Sequence, residues 1–397
     1  MTSKDRHEAR YQRRKAARER RKREHNARYD DYNRVFDYDR LYEAGTKCCR
    51  GVRWKASVQR FETDQLLKCY RIYYELMNGC FRSGHFRHFD IYERGHLRHI
   101  RSLPIEERTA QRTLCDNALI PVLTRSFIYD NGACMKGKGI GFAEKRLTAH
   151  LQRYFRKYGS EGYALVFDFS KYFDNADHEI IKAILRKMFA DERLIQITAQ
   201  FVDDFGEVGL GLGSQISQVL SLALANRLDH EIKDAQGMTY YVRYMDDGVI
   251  FCNSKKRLRA VLAAIERVCD ELHIRLNRKK THIVRLSRGF TFLKLRYFLL
   301  DSGRIIRKPA HSGIKRERRR IKKLRKLYED GRITLQSVIN STHSWLAHCK
   351  RANTYRTRRE MLKWFFAVFP EVPRETFDKK KRKKVQVCTT KSSLTAA

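Results

Sequence analysis

An apolar run, Tyr163-Ala164-Leu165-Val166-Phe167, ends abruptly in a carboxylate, Asp168. Such a run reads as a strand covered on both faces. An unpaired buried carboxylate costs several kcal/mol, so Asp168 has to lie at a surface or on a cation. Further along, Tyr241–Met245 and Gly248–Phe251 are β-prone arms around Asp246-Asp247, which reads as a hairpin with two acids at its tip. Taken alone, Asp-Asp-Gly is ordinary turn chemistry. The third acid changes the weighing: Asp168 lies 78 residues before Asp246, enough chain for its strand to run beside the hairpin. Adjacent aspartates repel, and hard oxygen donors select Mg²⁺, with Mn²⁺ as a substitute. Three such carboxylates can hold two ions about 4 Å apart, one activating an attacking hydroxyl and one stabilising a leaving group.

The chain has 84 Lys+Arg against 45 Asp+Glu, a formal charge of +39, so its main partner should be polyanionic, with nucleic acid first. No long apolar run, signal-peptide pattern or lipidation motif points to a membrane, and the expected location is cytoplasmic. Ten cysteines include no Cys-x-x-Cys pair, which argues for reduced thiols and against zinc. With 397 residues and 42% hydrophobic content, two or three compact units are expected.

Residues 1–40 read as a basic arm whose first 30 residues cannot form a core; contact with nucleic acid and a solvated tail are its two readings. From about Tyr42 to Leu123 the pattern is helical, with Leu66, Leu67, Tyr70, Tyr73, Tyr74 and Met77 at helix-like spacing, the aromatics among them expected in the core rather than as a stacking platform. A Gly-punctuated stretch over Tyr129–Gly141 leads to a helix at Glu144–Tyr158. Then come a strand at Tyr163–Phe169, helices at about Asp177–Phe189 and Gln215–Lys233, a strand pair around Tyr240–Cys252 and a helix at Leu258–His273. Short strands near His282–Val284 and Phe290–Leu299 follow, and basic helices from Ile306 to about Phe369. The class is α+β. The run Lys379-Lys380-Lys381-Arg382-Lys383-Lys384 lies in a basic tail over 371–397.

Tyr244-Met245-Asp246-Asp247 and Phe167-Asp168-Phe169-Ser170-Lys171-Tyr172-Phe173 resemble the third and first signatures of reverse transcriptases, and the resemblance runs in order over roughly residues 60–360. It implies a right-hand polymerase with fingers over 41–162, a palm with an antiparallel sheet over 163–303 and a helical thumb over 304–370. It implies metal contacts at Asp168, Phe169, Asp246 and Asp247, and nucleotide contacts at Phe169 and at Phe173, whose ring excludes a 2′-hydroxyl. Leu212-Gly213 with Ser217-Gln218 stands where most of the family has Gln-Gly and Ser-Pro, a form similar to reverse transcriptases of diversity-generating retroelements. Leu212, Gly213 and Gln218 then contact nucleotide, Ser217 faces template or primer, and loss of the amide at 212 implies low fidelity.

Asn131–Gly139 fits most of a P-loop, but Gly139 offers no hydroxyl for a metal and no apolar strand runs into it. The resemblance instead places Lys136 and Lys138 near template or triphosphate. It makes Arg98, rather than Arg101, the triphosphate clamp. Lys280, rather than Lys279, becomes the proton donor to pyrophosphate, and Lys294 lies in a primer-grip turn where Gly is usual. The implied partners are an RNA template, a DNA or RNA primer, deoxynucleoside triphosphates and a small basic accessory protein, in a bacterial or phage setting. An antiphage defence enzyme and a group II intron or retron enzyme use the same chemistry. A nonenzymatic RNA-binding protein is the remaining alternative, against which the intact acids argue.

Overall fold

A computed structural model describes residues 2–93 and 96–377, with backbone alone at Lys4, Glu93, His96 and Arg98. The chain separates into two compact units, one running to Tyr154 with Tyr163–Ile283, the other Phe155–Gly162 with Val284 onward. The fold is α+β, of the right-hand polymerase class.

The first unit is organised by a sheet whose strands lie in the order β4-β5-β3, where β3 is Tyr163–Asp168, β4 Tyr241–Tyr244 and β5 Asp247–Cys252; a fourth strand, β6, His282–Arg285, begins at the end of this unit. Both β3 and β4 pair antiparallel with β5. Ala164, Leu165 and Phe167 are fully buried, as a continuous apolar strand in the middle of a covered sheet requires. The helix Lys255–Glu271, capped by Ser254, lays Val261, Ile265 and Val268 into the same core. His178–Met188 is capped by Asp177, whose carboxylate accepts from the Ile180 amide at 3.0 Å.

Three stretches add to or differ from the helical pattern. An antiparallel hairpin of β1, Arg87–Glu93, and β2, His96–Ser102, stands in the helical region before Leu123, β2 covering residues 97–101, which the resemblance reads as a strand of the fingers. The expected helix Gln215–Lys233 is three pieces, Gln215–Leu224, Asn226–His230 and a π-helical turn Glu231–Ala235, broken where Ala225 closes one turn. Between the expected elements lies a further amphipathic helix, Glu192–Asp203, with Leu194, Ile197 and Phe201 buried.

The helix Gln65–Met77 also needs correction. It buries Cys69, Ile72 and Leu76, whereas Tyr70 and Tyr74, expected in the core, are exposed, as are Leu66 and Leu67. Apolar residues surround most of this helix, so spacing alone could not select the packed face.

In the second unit β7, Phe290–Phe292, β8, Leu295–Leu299, and β9, Ile305–Pro309, form an antiparallel sheet. The segment after Ile306 therefore begins as a strand. Helices His311–Glu329, Leu335–Cys349 and Tyr355–Val368 pack around Ile321, Val338, Phe365 and Phe369. Among the described residues every cysteine is a free thiol, and no helix is long and apolar enough to cross a membrane. The Lys379–Lys384 run lies outside the described residues.

Candidate active site

Strand register brings the acids together. Asp168, the last residue of β3, stands directly opposite Asp247, the first residue of β5. The Phe169 amide donates to the Asp246 carbonyl at 3.2 Å, tying the end of β3 to the turn. Gly248 makes the approach feasible, because a Cβ there would come within 2.1 Å of the Phe167 ring. Burial, then the neighbouring charges of Asp246 and Asp168, push the Asp247 carboxyl up to about 7. Asp246 is raised as well, by burial first and Asp168 second.

Asp168 also holds the segment after the hairpin. Its carbonyl accepts from the Asn277 amide at 2.8 Å, and its Oδ1 from Asn277 Nδ2 at 3.1 Å. Lys280 Nζ donates to Oδ2 at 2.8 Å. Burial lowers the Lys280 pKa, but the bond to Asp168 and the charges of Asp168, Asp247 and Asp246 together outweigh it, and the net direction is up. Among the described residues, no three His, Cys, Asp or Glu side chains stand ready arranged around a metal position. The donor chemistry nevertheless fits a divalent cation: crowded carboxylates of raised pKa gain most from an added positive charge.

The turn carrying Asp246 rests on buried charge. Met245 adopts φ +53, a left-handed conformation uncommon for a residue with a side chain. Arg243 Nη1 donates to the Met245 carbonyl at 2.7 Å. The same guanidinium grips Asp229 through Nε at 2.7 Å and Nη2 at 2.6 Å, and both side chains are fully buried. Tyr241 Oη donates to Asp229 at 2.7 Å. The Arg243 amide in turn donates to the carbonyl of Asp130, whose carboxylate meets Arg146 at 2.6 Å, Lys233 at 2.7 Å and His150 at 3.1 Å. A lone charge inside an apolar β arm was the signal for this network, since a buried guanidinium demands a partner. Sequence reasoning passed over it, and over Asn277.

A cavity of about 540 Å³ is lined by Leu212, Gly213 and Gln218 together with Arg101, Arg108 and Arg112. Its wall is fixed by Ser214 Oγ, which donates to Gln111 Oε1 at 2.9 Å, and by Gln215 Nε2, which donates to Asp116 at 2.9 Å.

Residues 100–297 match the family described as reverse transcriptase (RNA-dependent DNA polymerase). The chain carries a reverse transcriptase domain. Solved structures similar to it include apo telomerase from Candida tropicalis truncated from its C-terminal domain, with 14% identity, 57% of this chain and 55% of that chain covered, and a TM-score of 0.46. Telomerase from Candida albicans in complex with a TWJ fragment of telomeric RNA is similar at 12% identity, with 71% and 54% covered and a TM-score of 0.43. The chain thus spans about half the length of these structures. No curated protein matches it.

Within the reverse transcriptase domain the remaining expected contacts divide. Phe173 is half-buried beside Tyr172, and Lys136 is exposed. The Phe169 ring is buried between Phe167 and Tyr172, so any metal or nucleotide contact there runs through backbone. Ser217, expected to face template or primer, is fully buried on its helix. The Lys138 ammonium donates to the carbonyls of Tyr129 and Asn131 at 2.9 Å and lies over the Tyr129 and Phe142 rings, bracing the loop. The side chain of Arg98 lies outside the described residues; Arg101 donates to the Phe205 carbonyl at 2.6 Å at the cavity wall. In the second unit, Leu293 (φ +48) and Lys294 (φ +69) are the two left-handed residues of the β7–β8 turn. A two-residue hairpin demands that geometry, which is why Gly would suit position 294.

Proposed function

We propose that this chain is an RNA-directed DNA polymerase that copies an RNA template into cDNA from a DNA or RNA primer, using deoxynucleoside triphosphates. The observation that carries the reading is the convergence of Asp168, Asp246 and Asp247 in one corner of the sheet, with Lys280 on Asp168. The three aspartates are the residues to hold two Mg²⁺ or Mn²⁺. When bound, the ions supply activation of the primer hydroxyl and charge stabilisation at the leaving pyrophosphate. Asp247, its carboxyl raised by burial and by its two neighbours, is a residue that an added positive charge would hold in the ionised form. Lys280 keeps a proton at Nζ and exchanges Asp168 for the pyrophosphate oxygens as they part. Arg101, Arg108 and Arg112 orient the triphosphate in the cavity they line. Phe173 presents its ring to the sugar and disfavours a 2′-hydroxyl.

Leu212 at the cavity offers an incoming base pair no hydrogen bond. This supports a low-fidelity enzyme of diversity-generating type, working with a structured RNA and a small basic accessory protein. Defence, intron and retron enzymes share the chemistry, and sequencing of cDNA from wild type and Leu212→Gln separates the fidelity claim from it. The error spectrum should narrow in the variant, and matching spectra would reject low fidelity through Leu212. The activity itself is tested by primer extension on an RNA template in Mg²⁺. Wild type should extend, and a double Asp246→Ala, Asp247→Ala variant should not. Equal incorporation by both would leave only RNA binding.

A further inference from the structure

The N-terminal helix Ser3–Asn26 carries eleven lysines and arginines against four acids, and is exposed along nearly its whole length. Its 24 residues span about 36 Å. It has no apolar stripe; Ala9 and Ala17 alone are partly covered before His25. A helix polar all round lacks tertiary support and must be held by its own devices. They are present: a capping box between Thr2 and Asp5, an Arg20–Glu24 pair and a Gln12–Glu8 hydrogen bond.

The base of this helix is fastened. His25 Nε2 lies 3.0 Å from the Pro121 carbonyl, and Asn26 Nδ2 donates to the Met188 carbonyl at 3.2 Å. Asp30 accepts from the amides of Ala190 and Asp191, and the Asp191 carboxylate accepts from the Tyr32 amide. Tyr32, Val35 and Phe36 then enter the main core. A solvated tail needs neither a cap nor an anchored root.

We infer that this helix is a docking rod for the phosphate backbone of a double-stranded RNA stem, separate from the aspartate site. Like charges along the rod repel, and the repulsion is relieved by a partner with a regular row of negative charges. A protein helix or a membrane surface would need an apolar face, which is lacking. The choice of RNA over DNA rests on the polymerase reading, because a template that is read must be held while it moves.

The test uses the full-length protein and a variant with Arg13, Arg14, Lys15, Arg18, Arg21 and Lys22 changed to Gln, with circular dichroism to confirm retained helix. The probe is a blunt, closed RNA stem-loop, measured by fluorescence anisotropy without nucleotide over a range of KCl. At about 0.15 M salt the variant should bind at least tenfold more weakly, and its salt slope should flatten by about two or more, since each phosphate contact contributes about 0.9. Superimposed isotherms would overturn the inference. So would tighter binding and a larger loss on a DNA stem of the same sequence, or displacement of RNA by poly-glutamate at lower concentration than by RNA, which would mark an acidic protein as the occupant. On a short pre-annealed template–primer the variant should extend like wild type. Wild type that binds the stem but never extends would sink the polymerase reading alone.

Discussion

Arg243 performs two tasks that a single substitution confounds: it neutralises Asp229 and holds the Met245 carbonyl. Arg243→Met leaves a carboxylate buried and unpaired, and should cost about 3–5 kcal/mol in urea denaturation. Pairing it with Asp229→Leu should restore most of that stability, because a buried ion pair replaced by apolar residues is often neutral. The double variant still lacks the tether on the turn, so primer extension should stay low while the fold recovers. Activity that returned with stability would show Arg243 to be a structural charge only. Asp130 offers a pH test. Burial pushes its carboxyl up, but His150, Arg146 and Lys233 outweigh burial and hold it well below the carboxylate range. A depressed pKa contributes stability above the unfolded value, about 4, and loses it as pH falls through the folded one. Asp130→Asn should therefore be destabilised at pH 7 by a few kcal/mol, with the gap to wild type closing below about pH 4. An unchanging gap would contradict a role for the charge.

Among the elements, β3 and the β4–β5 hairpin were readable because a charge after an apolar run and two acids between β-prone arms leave few placements. Their register was not readable, and it depends on one residue without a side chain. Gly248→Ala would drive a methyl into the Phe167 ring. The expected cost is about 1–3 kcal/mol, with strand separation that lowers extension more than template binding; equal losses in both would point to general destabilisation. Other elements were hidden for physical reasons. Gln65–Met77 is apolar around most of its circumference, so its packed face follows from neighbours. The break near Ala225 carries no Gly or Pro to announce it. Lys138 was legible as a loop cation, but its bonds to the Tyr129 and Asn131 carbonyls depend on the loop's path and were not.

Across the whole molecule, the excess positive charge suits a polyanion partner, whereas the proposed chemistry rests on a few carboxylates whose mutual repulsion is only partly relieved by Lys280. The central claim is that Asp168 and the Asp246–Asp247 turn share divalent cations once Lys280 yields. Titration of Mn²⁺ into the full-length protein at pH 7.5, followed by electron paramagnetic resonance, tests it most directly. Wild type should bind saturably, and Asp168→Asn should bind at least tenfold more weakly with its fold intact. Identical isotherms for the two proteins would contradict the account.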